Sequence, residues 1–219
     1  MAITIGNKTQ ANPTPGANFY QLSHNQNTGS DGLLIVSAVM SNSRTFTSAT
    51  YGGQAMTQVF VKAFGGLSQY TKFWVLENPP TGSNTLRINF SGTQWNPIGL
   101  YAKSFTGAQA GGNTINLSGS STPRSSNIAL SSGSLVYAYG ISINAVTGVQ
   151  IPTGTTTSAE YTHNTNRQVR GGLNTTPFSA GTVQIRTTST SGSVTLQAYE
   201  IQEKATSGGG GENNFFLIM

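Results

Sequence analysis

Few side chains of this sequence could carry out catalysis or bind a metal ion, and they are spread along the chain. The single aspartate, Asp31, lies in Ser30-Asp31-Gly32, a sequence typical of a turn before a strand. His24 and His163 lie in segments rich in asparagine and threonine, and with Asp31 they are the one combination that could ligate a metal. Metal-bound imidazoles also need further ligands and hydrogen-bonding partners, and the spacing supplies none. We therefore expect no metal site and no cofactor.

The glutamates within the body of the sequence form no carboxylate pair at a spacing that a catalytic mechanism would use. Glu77 borders a turn, and Glu160, Glu200 and Glu203 have no obvious partner. Glycoside hydrolysis needs two carboxylates that flank the scissile bond. The sequence also contains no cysteine, no Gly-x-Ser-x-Gly nucleophile elbow, no phosphate-binding loop and no dinucleotide fingerprint. These absences predict a protein that is not an enzyme.

Three aromatic residues are candidates for contact with a glycan, because rings exposed in loops can stack on the faces of sugars. Trp95 lies in the loop-like segment 92–97, and Tyr51 and Tyr70 are its candidate partners. Tryptophan is largely buried on average. The alternative, which we favour, is that Trp95 caps the end of a core.

The charge of the chain is low and evenly spread. Charged residues make up 8% of it, against about 25% in ordinary soluble domains. The net charge of +5 comes from 11 basic and 6 acidic residues, and the basic residues stand singly, unlike the clusters of nucleic-acid-binding domains. No segment reaches the ~18 apolar residues of a membrane helix, and the N-terminus has no basic leader followed by an apolar core. We expect no nucleic-acid or membrane partner, and synthesis in a host cytoplasm without a signal peptide.

The elements that would position these residues are short strands. Runs of β-branched or aromatic residues recur between Gly, Pro, Asn and Ser. The apolar run at residues 33–40 is too short for a typical helix and predicts a buried strand. Residues 49–56 predict a hairpin in which Gly52 and Gly53 supply positive φ at the tip. Apolar and polar residues alternate over residues 84–90, which predicts a strand with one buried face.

Three segments of the first part of the chain have counterparts of similar sequence in the second part. The pairs are residues 32–36 with 133–137, 83–88 with 180–185, and 100–105 with 196–201. Their separation of about a hundred residues is too long for a solenoid repeat. It predicts an all-β, antiparallel β-sandwich that is jelly-roll-like and built from two sequence-similar halves, each giving strands to both sheets. Two separate domains of about a hundred residues each are the alternative.

These patterns divide the chain into three parts. Residues 1–29 are an N-terminal extension or first strand, and residues 30–203 are the sandwich, with halves at about 30–107 and 127–203. The join at residues 108–126 is rich in Gly, Ser, Asn and Thr, and is a linker or a crossover.

Residues 204–219 predict a glycine-rich tether followed by an apolar strand. We expect this strand to anchor the protein to a partner, because five large apolar side chains stand together in it: Phe215, Phe216, Leu217, Ile218 and Met219. Their burial would gain roughly 8–15 kcal/mol, against a comparable cost of ordering the segment. The alternative is that they complete a sheet of their own chain.

Three segments carry a resemblance to a known family: residues 30–39 (SDGLLIVSAV), 49–57 (ATYGGQAMT) and 73–85 (FWVLENPPTGSNT). They resemble a β-sandwich module found in phage virion proteins and bacterial surface proteins. The resemblance runs from about Ser30 to Gln202 and implies a structural or adhesive role. It brings no catalytic residues with it, and likeness of fold alone gives no activity.

The sequence therefore predicts a structural virion protein of a bacteriophage, namely a capsid decoration or cement protein on the virion surface, anchored through its termini. Its expected partners are capsid or other virion proteins and further copies of itself, as a homo-oligomer and, by analogy with phage surface proteins, a trimer. The alternative is a receptor- or glycan-binding module of a phage tail fibre or a bacterial surface adhesin, which would bind a cell-surface glycan.

Overall fold

The computed structural model describes residues 2–12, 16–26, 31–41, 45–64, 67–94, 98–119, 124–142, 146–151, 157–164, 168–189 and 194–205. Within these ranges the chain forms strands joined by turns, and the paired strands run antiparallel. The prediction of an all-β fold with antiparallel sheets is confirmed.

The strands before residue 107 are β1 (Thr4–Ala11), β2 (Ala17–Gln26), β3 (Gly32–Ser41), β4 (Phe46–Tyr51), β5 (Gln54–Ala55), β6 (Thr57–Phe64), β7 (Leu67–Glu77), β8 (Gly82–Gln94) and β9 (Ile98–Thr106). Those after it are β10 (Ala108–Gln109), β11 (Thr114–Gly119), β12 (Ser125–Leu130), β13 (Leu135–Ser142), β14 (Val146–Gln150), β15 (Thr157–Asn164), β16 (Gln168–Asn174), β17 (Gly181–Ser189) and β18 (Val194–Glu203).

The strands before residue 107 form two sheets that enclose a core. The larger sheet has the order β1-β9-β3-β7-β6, and the smaller has the order β2-β8-β4-β5. Strand β8 alternates as predicted: Leu86, Ile88 and Phe90 are buried, whereas Arg87 and Asn89 are half-buried on the opposite face. This first core consists of Tyr20, Leu34, Val36, Ala38, Phe46, Ala49, Tyr51, Met56, Trp74, Leu86, Ile88, Phe90, Leu100 and Ala102.

The strands after residue 107 form two further sheets around a second core. The larger has the order β10-β18-β13-β16-β15, with β11 also paired to β18, and the smaller has the order β12-β17-β14. The second core consists of Ile115, Ile128, Leu130, Val136, Ala138, Ile151, Ile185, Leu196 and Ala198.

The two pairs of sheets follow the same strand order. The places of β1, β9, β3, β7 and β6 in the first large sheet are taken by β11, β18, β13, β16 and β15 in the second, and those of β2-β8-β4 by β12-β17-β14. Among the described strands, no sheet combines strands from before and after residue 107. This differs from the expectation that both halves give strands to the same two sheets. The reason is that interior strands find both neighbours within their own half: β9 lies between β1 and β3, and β18 between β11 and β13.

The two large sheets also pack against each other, so that the four sheets form one stack. Alternate residues of β3 show this: Leu34 and Val36 belong to the first core, whereas Leu33 and Ile35 belong to the core between the large sheets. A strand that is covered on both faces has an apolar sequence without alternation, and the buried strand predicted at residues 33–40 is confirmed. We call the core between the large sheets the central core; it consists of Leu33, Ile35, Val39, Phe60, Phe73, Val75, Tyr101, Phe105, Ala108, Leu135, Tyr137, Tyr139, Ile141, Leu173, Tyr199 and Ile201.

Aromatic rings and one buried hydrogen bond join the large sheets across the central core. The ring of Phe73 lies 5.1 Å from the ring of Tyr199, measured between centroids. The Thr71 hydroxyl donates to Gln197 Oε1 at 2.7 Å, in a buried position. Because aromatic pairs and satisfied buried hydrogen bonds both fix relative orientation, the two halves pack in one defined arrangement.

The ends of β9 and β18 meet beside the central core. Gly107 has a φ of +68°, and its carbonyl accepts a hydrogen bond from Lys204 N at 2.9 Å. Ala108 pairs with Glu203 next to this bond. The Lys204 ammonium lies 2.6 Å from the Asp31 carboxylate, and both side chains are about a third exposed. Such an ion pair contributes at most about 1 kcal/mol, so the backbone bonds carry most of the contact.

The predicted hairpin at residues 49–56 is confirmed. Tyr51 pairs with Gln54 across the turn. Gly52 and Gly53 have φ angles of +55° and +81°, a conformation that a two-residue hairpin loop requires and that glycine adopts without strain.

Candidate binding surface

His24 lies at the centre of a hydrogen-bonded chain that links three strands. Its ring is buried, with Nε2 2.7 Å from Ser104 Oγ and Nδ1 2.8 Å from Thr9 Oγ1. Burial, with a smaller contribution from the nearby Lys103 ammonium, lowers the pKa of His24 to about 4. The imidazole is therefore neutral at pH 7. Ser104 is fully buried as well, so this Ser–His–Thr chain joins β9, β2 and β1 and does not present a nucleophile to a substrate.

Glu200 on β18 has the position in the second half that Ser104 on β9 has in the first. Ser104 stands opposite Leu34 on β3, and Glu200 stands opposite Val136 on β13. The Glu200 carboxylate is buried and accepts hydrogen bonds from Ser131 N at 2.6 Å, from the Ser134 hydroxyl at 2.7 Å and from Asn113 N at 2.9 Å.

These hydrogen bonds decide the charge of Glu200. Burial raises the pKa of Glu200, but the bonds from Ser131, Asn113 and Ser134 outweigh it, and the net pKa is lowered. The ionised carboxylate thereby ties β18 to the segments that precede β11 and β13. From the sequence, His24 is a candidate metal ligand and Glu200 has no obvious partner. The strand pairing that brings both residues to their partners is not visible in local spacing.

The metal-binding combination weighed from the sequence is not assembled by the described residues. Both ring nitrogens of His24 are occupied by hydroxyl groups, and Asp31 pairs with Lys204. Only the backbone of His163 is described, and it lies in β15. Within the described part of the chain, no group of three or more His, Cys, Asp or Glu residues has the arrangement of a metal site.

Tyr51, one of the three candidate glycan contacts, is a residue of the first core. Its side chain is fully buried, and its hydroxyl lies 2.9 Å from His24 O and 3.0 Å from Gly82 O and accepts a bond from Gln26 N. It closes the end of the sandwich and offers no ring face to solvent.

The other predicted contacts stay untested. Trp95 and the tail residues Phe215, Phe216, Leu217, Ile218 and Met219 lie outside the described residues. Tyr70 lies on β7, where it pairs with Met40, and only its backbone is described.

The face of the β2-β8-β4-β5 sheet that points away from the first core is polar, and we call it the outer face. Strand register places Phe19 opposite Asn89 and Gln21 opposite Arg87. The outer face carries exposed or half-buried side chains from three strands: Phe19, Gln21, Ser23, Asn25, Ser48, Thr50, Ser83, Thr85, Arg87 and Asn89.

Arg87 is held in one orientation at the middle of the outer face. Its guanidinium carbon lies 3.9 Å from the centroid of the Phe19 ring, and its Nε donates to Asn89 Oδ1 at 2.8 Å. Asn89 Nδ2 in turn donates to Ser48 Oγ at 2.9 Å. The chain of contacts therefore crosses β2, β8 and β4, and it leaves the two terminal nitrogens of Arg87 pointing to no carboxylate among the described residues.

The outer sheet of the second half has a related arrangement. Arg186 on β17 is exposed, and its Nε donates to the side-chain oxygen of Gln150 on β14. Ser125 stands opposite Arg186 on the other neighbouring strand, in the place that Gln21 has opposite Arg87. This arginine has an amide partner, and no ring of the described residues lies over its guanidinium.

Comparisons with models of protein families, with curated proteins and with solved structures find no match to this chain. Among the described residues, no helix has the length and apolar character needed to cross a bilayer.

Proposed function

We propose that this chain is a structural protein of a bacteriophage particle, a decoration or cement protein of the capsid surface that is anchored through its termini. The resemblance of residues 30–202 to a module of virion proteins is the first support. The strand order of the sheets is the second and stronger support.

We infer that each half is a jelly roll, so that the chain contains two jelly rolls instead of the single one expected from the sequence. A jelly roll pairs its eight strands in two four-stranded sheets, and it is common in viral capsid and lectin domains. If β6, the strand at the edge of the large sheet, is set aside, the first half has the required orders β1-β9-β3-β7 and β2-β8-β4-β5. The second half repeats them except for the last strand of its smaller sheet. This strand order is the observation that carries the proposal.

The internal organisation agrees with a role in assembly. The buried ionisable groups His24 and Glu200 are saturated by bonds that join strands. The central core covers the second face of both large sheets with apolar residues. Together these features favour a single stiff body that presents its outer sheets, as a particle-bound spacer would.

Attachment to particles tests the proposal. Purified capsids that lack this protein are mixed with the full chain or with a variant lacking residues 208–219, and bound protein is measured after sedimentation. We expect the full chain to co-sediment at a saturating, symmetry-related copy number and the truncated chain to stay in the supernatant.

A matched variant controls for folding and for loss of length. Replacement of Phe215, Phe216, Leu217, Ile218 and Met219 by serine keeps the length of the tail and removes only its apolar groups. Both variants should keep the melting temperature of the full chain. Attachment of either variant at the full level would refute anchoring through the tail, and failure of the full chain to bind would refute the decoration role.

A further inference from the structure

The outer face combines one oriented cation with neutral hydrogen-bonding groups. Stacking on Phe19 and the bond to Asn89 fix the guanidinium plane of Arg87. Among the described residues, only Nε of Arg87 has a hydrogen-bond partner. The two terminal nitrogens form a fork of parallel donors, which matches the two oxygens of a carboxylate. We propose that the outer face binds an acidic sugar, with Arg87 donating to its carboxylate.

Charge distribution favours an anionic ligand on this face. The carboxylates whose partners are described are engaged elsewhere: Asp31 with Lys204, Glu77 with Ala110 N, and Glu200 with the turn before β13. Within the described part of the chain, no carboxylate pairs with Arg87. A guanidinium that lies against an aromatic ring has also lost part of its water shell, so that less solvent must be displaced on binding.

The neighbours of Arg87 favour a sugar over a polyanion. Gln21, Thr50 and Thr85 surround it on the outer face, and they carry amide or hydroxyl groups that can donate to and accept from sugar hydroxyls. Nucleic acids and heavily sulfated chains require clustered Lys and Arg, whereas Arg87 is the single cation among the described residues of this face. The expected ligand is therefore a mostly neutral glycan with one carboxylated residue.

Sugar binding by the outer face would be a role apart from decoration. It involves other residues than the glycan contact predicted at Trp95, Tyr51 and Tyr70. Particle attachment and sugar binding are measured separately, so that either can fail without the other.

A trisaccharide of galacturonic acid, the matching neutral trisaccharide of galactose, and inorganic phosphate are titrated into ¹⁵N-labelled full-length protein, and the Arg87 Nε–H resonance is followed. We expect saturable shifts with the acidic trisaccharide and much weaker effects from the other two. Arg87→Gln should weaken binding roughly tenfold or more, because a bidentate, charge-assisted pair is lost.

Arg186→Gln is the matched control, since it removes the same charge from the outer sheet of the second half. It should leave the affinity unchanged, and Phe19→Tyr should keep it, whereas Phe19→Leu should weaken it several-fold. The melting temperature of each variant reports that it is folded. Equal losses in Arg87→Gln and Arg186→Gln, or equal affinity for the galactose trisaccharide or for phosphate, would overturn the proposal.

Discussion

Tyr101 and Tyr137 stack with their ring centroids 5.1 Å apart and their planes within 9° of parallel. Tyr101 belongs to β9 and Tyr137 to β13, so that the stacked pair spans the two large sheets. Both side chains are fully buried. The pair shows that the halves are joined by a close-packed core and not by a wet, polar contact, and it predicts that their stabilities are coupled.

Coupling can be measured because both tryptophans of the chain, Trp74 and Trp95, belong to the first half. Tyr137→Ala removes a buried ring of the second half and should cost about 3–5 kcal/mol. We expect the urea midpoint of tryptophan fluorescence to fall, although no tryptophan lies in the mutated half. Asn127→Ala, at an exposed site of β12, should leave the midpoint unchanged. An unchanged midpoint in Tyr137→Ala would mean that the halves unfold independently.

Because His24 is neutral in the folded protein, the free energy of unfolding decreases as the pH falls through the mildly acidic range. Its pKa is about 4 in the folded protein and 6.5 in the reference state. The unfolded chain therefore takes up a proton first, and stability is complete above pH 6.5 and declines as the pH falls towards 4. The slope contributed is at most about 1.4 kcal/mol per pH unit. The free energy of unfolding of His24→Gln, measured with urea, should change less steeply with pH over this window than that of the wild type. Parallel pH profiles of the two proteins would contradict the assignment of a neutral His24.

The charged form of Glu200 stabilises the second half. Glu200→Gln replaces a carboxylate that accepts several bonds by an amide that presents two donors, and should cost roughly 2–4 kcal/mol at pH 7. Because the folded pKa is lowered, the wild-type carboxylate contributes above its unfolded pKa and loses this contribution as the pH falls below it.

The stability difference between wild type and Glu200→Gln should therefore shrink in acid. Glu203→Gln removes the same charge from a half-buried site on the same strand, and should cost less than about 1 kcal/mol. Equal losses in the two variants, measured by urea unfolding at pH 7, would show that the cost is one of net charge.

The backbone of β18 approaches Gly112 closely, and alanine substitutions at Gly112 and at its neighbour Gly111 test this approach. A Cβ atom on Gly112 would lie 2.0 Å from Glu200 O, a backbone atom that cannot rotate away. Gly112→Ala should therefore cost about 3 kcal/mol or more. At Gly111, with a φ of +94° and no atom within 4 Å of the added carbon, alanine should cost only about 1–2 kcal/mol of backbone strain. Thermal denaturation gives the order, and a smaller loss at Gly112 would disprove the approach of β18 to this turn.

Local patterns predicted the strands but not the number of layers. The alternation at Leu86, Ile88 and Phe90 and the two glycines of the hairpin are set by neighbouring residues, so that they can be read from the sequence. The apolar run at residues 33–40 indicates burial on both faces but does not identify what covers each face. The covering sheet comes from the second half, which only the folded chain brings into contact.

The sites were less accessible to sequence reasoning than the strands. Arg87 could be placed on a solvent-facing side by alternation, and Phe19 could not, because its position beneath Arg87 depends on the register between β2 and β8. Likewise, Glu200 gains its partners from segments about 70–90 positions away in the chain. These partners are Asn and Ser residues, which are common in loops, so their presence in the sequence does not indicate a buried carboxylate.

The last strand that the chain adds to each large sheet is an interior strand. β9 completes the first half between β1 and β3, and β18 completes the second between β11 and β13. On a ribosome, the first pair of sheets can close once residue 106 has left the exit tunnel. The second face of its large sheet, with Phe73 and Tyr101, stays uncovered until β18 is made. During that interval the nascent chain exposes a broad aromatic surface, which is a hazard for aggregation. Its long-range pairings also give a high contact order and slow folding, so chaperone binding during synthesis is expected for this chain.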